Sequence, residues 1–197
     1  MGLREAKKRE TRERMVEVAR ELFAERGFDA VAVSEIADQA RVSLKTFYNY
    51  FPSKAALLDE IALELVVATT EHLEGSLAGP ETARSAIERI AAAFGRSIAR
   101  APDFNAAIFQ RSGLFRAEGE LRDVELRMYD ALAALIRRDQ ASGRLRDDVD
   151  PLALAEVLVA AWMLISLNWL ARWWKSRGNL AERLRSATGV VFEGVER

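Results

Sequence analysis

The chain has 197 residues, half of them apolar, and a formal net charge of −1. It can therefore build a sizeable core, and it exerts no global pull toward a polyanion. It has no cysteine and a single histidine, His72, which excludes disulfides and thiolate zinc sites, and nothing around His72 asks for a metal or a catalytic triad.

Helical periodicity dominates in chain order. The first ten residues, MGLREAKKRE, are charged and lack the apolar stretch of a signal peptide, which sets the expectation of a cytoplasmic protein. Residues 1–14 hold Arg4, Lys7, Lys8, Arg9, Arg12 and Arg14 against Glu5, Glu10 and Glu13, a net +3 on a nearly neutral chain; such a tip is either a phosphate-contacting arm or a solvated helix end. Met15, Val18, Ala19, Leu22 and Phe23 make one apolar stripe, and Gly27 stops that helix. Short helices are expected over Ser34 to Ala40 and, capped by Ser43, over Leu44 to Tyr50. Ser53 can cap a helix from Lys54 to about Leu77, which Gly79-Pro80 breaks. Further helices follow over Glu81 to Arg100, from Pro102 to about Gly113, and from Glu120 to Ser142. Asp150-Pro151 opens an apolar helix to about Lys175, and Leu180 to Val195 makes the last. The apolar helix is long enough to span a membrane, but Glu156 and Asn168 fit a buried core helix better. The fold class is all-α, about nine helices in all, with three N-terminal helices over 1–52 and a larger helical domain over 53–197.

The segment Leu44-Lys45-Thr46-Phe47-Tyr48-Asn49-Tyr50-Phe51 crowds four aromatics into five positions. Phe47 and Phe51 are four apart and share a side, which is core. Tyr48 lies near Leu44 and can extend past the core edge, with an apolar body and a hydroxyl that can bond a phosphate. Two short helices on a longer one form a helix-turn-helix unit, whose second helix can enter the major groove. A small packing unit without a ligand would use the same composition.

The run VSEIADQARVSLKTFYNYFPSKAALL resembles the DNA-binding signature of TetR-family transcriptional regulators. The points of match are Ile36-Ala37, Ala40, Val42-Ser43, Thr46, Phe47-Tyr48, Tyr50-Phe51, Ser53-Lys54 and Leu57-Leu58, within about residues 10 to 60. The resemblance implies a homodimer on double-stranded operator DNA, with recognition helices in successive major grooves and a small-molecule site in the C-terminal domain. It implies base-facing positions at Leu44, Lys45, Thr46 and Asn49 and phosphate-facing positions at Tyr48, Tyr50 and Lys54, with Ser43 in the same DNA-binding set. Two positions depart from the pattern. Ala32-Val33-Ser34 stands where the family has a threonine, so Ser34 is the candidate cap and phosphate contact. Arg41 stands where the turn has glycine, and a left-handed residue there costs about 1 kcal/mol.

From residue 60 onward no phosphate loop, metal cluster or acid–base pair appears, so neither an enzyme, a cofactor nor a metal is expected. Bulky apolar residues recur instead. Leu63, Val67, Thr70, Phe94, Ile98, Phe109, Met128, Trp162 and Asn168 are the candidate lining of a mostly apolar ligand cavity, with plain core packing as the alternative. Leu114 and Phe115 belong to the same apolar set. A stripe of Leu180, Leu184, Ala187, Val191 and Val195, with Ile165, Arg172 and Trp173 opposite, is the candidate dimer face, represented by Ile165, Trp173, Leu184 and Val191; the alternative is that it packs inside one subunit. The expected function is a ligand-responsive repressor, released from its operator by an apolar small molecule. A binding protein without a DNA target and an enzyme are the other classes.

Overall fold

The computed structural model describes residues 2–111, 120–171 and 178–196. Among these it contains nine helices and no named strand: α1 Leu3–Arg26, α2 Val33–Gln39, α3 Leu44–Tyr50, α4 Lys54–Leu77, α5 Ala83–Arg100, α6 Pro102–Arg111, α7 Glu120–Ala141, α8 Pro151–Leu170 and α9 Leu180–Glu193. The all-α expectation holds, and most helix limits fall within two residues of the sequence reading. Leu114, Phe115, Arg172 and Trp173 lie outside the described residues.

The chain divides into two compact units. The first comprises residues 1–64 and 101–116, the second 65–100 and 117–197. The first therefore extends past residue 52. The reason is its core: Met15, Phe23, Ile36, Phe47 and Phe51 are closed by Leu57, Leu58 and Ile61 of α4 and by Phe104 and Ile108 of α6. The first three helices alone would leave that apolar surface open to water. Arg12 reinforces the closure with a two-pronged ion pair to Glu60, at 2.8 and 2.7 Å, and lies 4.6 Å over the Phe51 ring.

In the second unit α5 and α9 approach at backbone contact, with Gly95 at the crossing. Trp162 of α8 donates to Thr188 of α9 at 2.9 Å in a buried site, and Thr188 in turn donates to the Leu184 carbonyl. A second buried node is Asp139, which accepts from the Ala83 backbone N–H at 2.7 Å and from Arg144 at 2.8 Å. Burial pushes the Asp139 carboxyl up, and its Arg144 and Ala83 hydrogen bonds outweigh that and hold it below the ordinary aspartate range. Arg138 fastens the end of α4 by donating to the carbonyls of Ser76, Leu77, Gly79 and Glu81. The helix starts of α8 and α9 are capped by Asp150 and Asn179. By length and composition α8 could cross a membrane. It nevertheless buries Leu158, Trp162, Ser166 and Trp169 within its unit.

Candidate nucleic-acid interface

The Ser43 side chain accepts the Thr46 backbone N–H at 3.0 Å and contacts the Thr46 hydroxyl at 2.8 Å, which starts α3 cleanly. Seven residues of helix then sort by angle. Phe47 and Phe51 are fully buried, with ring centroids 5.8 Å apart. Thr46 and Tyr50 are half-buried at the margins, and Tyr50 packs on the core. Leu44, Lys45, Tyr48 and Asn49 fill the remaining arc and are exposed, Leu44 by 48% and Tyr48 by 53%. Tyr48 stands edge-on to Phe47 at 5.5 Å, so its ring is propped by the core while its hydroxyl reaches outward. The four-aromatic segment is thus half anchor and half presented surface.

The turn before α3 is fixed from two directions. The Val42 N–H donates to the Ala37 carbonyl at 2.9 Å, and the Arg14 guanidinium donates to the Ala40 carbonyl at 2.9 Å. Arg41 adopts φ 55°, the one positive-φ non-glycine residue among those described. The left-handed conformation expected at the glycine position is therefore present, with an arginine holding it.

Ser34 and Lys54 are placed differently from the sequence reading. Ser34 does not cap α2: the helix begins one residue earlier, Ala32 occupies the cap position, and Glu35 accepts the Ala32 N–H at 2.8 Å. That bond to Ala32, assisted by Arg26, holds the Glu35 carboxyl below the usual range. Ser34 is simply exposed on the first turn. Lys54 is not a free cation. Its ammonium donates to the carbonyls of Phe28 (2.7 Å) and Val31 (2.8 Å) and sits 4.3 Å over the Phe28 ring. Burial lowers its pKa; Asp29 pulls the other way and Arg111 adds to the lowering. Lys54 thus clamps the loop leading into α2.

The ligand candidates are divided. Leu63 and Phe109 belong to the first unit, while Val67, Thr70, Phe94, Ile98, Met128, Trp162 and Asn168 belong to the second. Thr70 and Ile98 are fully buried, and Thr70 donates to the Val66 carbonyl at 2.9 Å. Phe94 and Trp162 have ring centroids 6.5 Å apart. One group was missed by the sequence reading. The Ser166 hydroxyl is wholly buried and has no hydrogen-bond partner among the described residues. An orphaned buried hydroxyl beside two tryptophans on its own helix is costly unless a ligand or water meets it.

The dimer expectation is corrected at Leu184, which is fully buried inside its own unit and cannot form an intersubunit face. Ile165 and Val191 are half-buried. Exposed apolar residues on the same two helices are Leu152 (41%), Val157 (53%) and Leu164 (60%) on α8 and Val190 (65%) on α9.

Residues 15–61 match the family model described as "Bacterial regulatory proteins, tetR family". Over these residues the chain carries the DNA-binding segment of that family. Its relatives extend well beyond the matched segment. The transcriptional regulator TcmR of Streptomyces glaucescens is 26% identical over 98% of this chain and 84% of its own. The transcriptional repressor KstR of Rhodococcus jostii is 27% identical over 93% and 84%. The solved structure of FadR from Thermus thermophilus, a TetR-family repressor in complex with lauroyl-CoA, aligns with a TM-score of 0.70 at 27% identity, covering 93% of this chain and 94% of that one. Its N-terminal segment is that of a DNA-binding transcriptional regulator.

Proposed function

We propose that the protein is a homodimeric, cytoplasmic repressor that reads operator DNA with the exposed arc of α3 and releases it when a mostly apolar small molecule occupies the second unit. The observation that carries the reading is that arc. Lys45 and Asn49 can hydrogen-bond base edges, Leu44 can meet a thymine methyl, and Tyr48 and Tyr50 can bond flanking phosphates, with Ser43 and Thr46 at the helix start. The buried Phe47 and Phe51 make the arc rigid, so little order has to be imposed on binding.

For the ligand we infer a long acyl chain as its thioester, the class named for the Thermus thermophilus relative. Val67, Phe94, Ile98, Met128 and Trp162 supply apolar lining of the right kind, and the orphaned Ser166 hydroxyl, with Asn168, supplies hydrogen bonds to a carbonyl. Helix α4 carries residues of both units, Lys54–Glu64 in the first and Leu65–Leu77 in the second. A ligand that displaces its later turns would shift its first turn, where Lys54 clamps the loop into α2.

The test is a titration of lauroyl-CoA against the protein with and without saturating operator. Operator affinity is expected to fall by about 5- to 150-fold, and the operator should weaken lauroyl-CoA by the same factor, because linkage is reciprocal. Equal lauroyl-CoA affinity in both titrations would remove the acyl thioester as the effector.

A further inference from the structure

The first twelve residues of α1 lie before the family match, which begins at residue 15 together with the start of the core. Arg4, Lys7, Lys8, Thr11 and Arg14 recur at i, i+3, i+4, i+7 and i+10, one face of the helix. The glutamates fall elsewhere: Glu13 faces Arg9 at 3.4 Å and Glu10 stands 4.0 Å from Arg14. That face borders an open cleft of about 630 Å³, lined also by Arg41 and Val42 of the turn and by Ser43, Thr46 and Tyr50 of the α3 start and helix. Five cations line it and no carboxylate does. Among the described residues Arg4, Lys7, Lys8 and Arg41 have no ion-pair partner. A solvated helix end would not need a second wall of opposite origin, nor a turn pinned to α1 through the Arg14–Ala40 bond.

Arg41 sharpens the point. Glycine would take φ 55° without strain, and arginine does not. The side chain kept at that cost opens on the cleft. A compact group of cations continuous with hydroxyls of the recognition helix is suited to a tetrahedral anion with neighbouring charge, which is a phosphodiester backbone.

We propose that this cleft holds backbone phosphates of the DNA flanking the major-groove half-site, with Arg41, Lys7 and Lys8 as its contacts. The proposal rests on the DNA-binding reading above. It assigns to the N-terminal turns of α1 a grip that is independent of base sequence and lies outside the helix-turn-helix arc.

The experiment compares wild type, Arg41→Gly and the double variant Lys7→Ala/Lys8→Ala on a selected operator duplex with long flanks, on a random duplex, and across a salt series. Each lost contact should reduce the slope of log affinity against log salt by about one. The wild-type advantage over Arg41→Gly should therefore fall about threefold between 50 and 200 mM salt. The loss should be equal on operator and random duplex. Arg41→Gly should melt at or above the wild-type temperature, which separates lost contact from lost fold. At constant ionic strength, exchanging chloride for inorganic phosphate should leave the ratio unchanged. A ratio that collapses only in phosphate would identify a small-anion site and overturn the proposal. Unchanged slopes in both variants would also overturn it; if Lys45→Ala still weakened operator binding, the recognition-helix reading would stand alone. Failure of wild type to bind either duplex would overturn both.

Discussion

Leu164→Glu is expected to convert a dimer into a monomer and to lower operator affinity by about 10²- to 10⁴-fold, the range over which holding two linked sites exceeds holding one. Ala153, Val157, Ala160 and Leu164 follow i, i+4, i+7 and i+11, one face of α8, and Val157 and Leu164 are more than half exposed. Val190 of α9 is exposed by 65%. In an isologous interface each patch meets its own copy, so one substitution enters twice. A carboxylate desolvated there without a partner costs several kcal/mol (about 2–7 even for a neutral polar group). The monomer should keep its helix content, because Leu164 contributes little to its own unit's core. Leu184→Glu should behave differently: that side chain is fully buried, so the second unit itself should unfold. Light scattering with circular dichroism separates the two. A Leu164→Glu protein that remains dimeric would move the interface off this face.

Gly95→Ala is expected to be the most destabilising single-methyl change in the second unit. A Cβ at Gly95 would lie 2.7 Å from the Ala181 Cα, 2.8 Å from the Ala181 nitrogen and 3.1 Å from the Leu180 carbonyl carbon. These are backbone atoms, so no side chain can swing aside. The start of α9 would have to move, and it is held by the buried Leu184, Phe192 and the Trp162–Thr188 hydrogen bond. Overpacking of this kind costs about 1–3 kcal/mol and occasionally more, which for a chain of this size lowers the melting temperature by roughly 2–12 °C. Because α9 carries Val190, dimer affinity should weaken as well. Gly75→Ala is the control: its Cβ would meet nothing within 4 Å, in an exposed position inside α4, and alanine there should stabilise by up to about 1 kcal/mol. Thermal melts in which the two substitutions are alike would contradict the close crossing of α5 and α9.

What could be read in advance depended on whether the signal was periodic. Phe47 and Phe51 were legible as anchors because four-residue spacing puts them on one side, and the exposed arc of α3 followed by exclusion. Proline, glycine and capping residues marked helix ends for the same reason: each acts on its own few residues of backbone. Lys54 was not legible as a clamp, since its partners are carbonyls of Phe28 and Val31 in an irregular loop that leaves no pattern. The exposed apolar stripe of α8 was not legible because that helix is apolar all round. With no polar face to mark the outside, its exposed stripe is hidden, whereas the stronger stripe on α9, Leu180 and Leu184, turns inward onto its own unit. Ser166 gave no signal at all, because a lone serine shows its lack of a partner only when its surroundings are known.

The central claim is that the exposed arc of α3 reads DNA sequence as part of a two-fold pair. Selection of duplexes from a random library by wild type, Lys45→Ala and Asn49→Ala tests it most directly. Wild type should enrich two inverted half-sites with centres about 34–36 Å apart or a multiple of that distance. Each variant should lose preference at its own base pair within the half-site, at a cost of about 1–3 kcal/mol, and keep the spacing. Enrichment of no common sequence by wild type, or recovery of the same motif with the same preferences by both variants, would contradict the assignment.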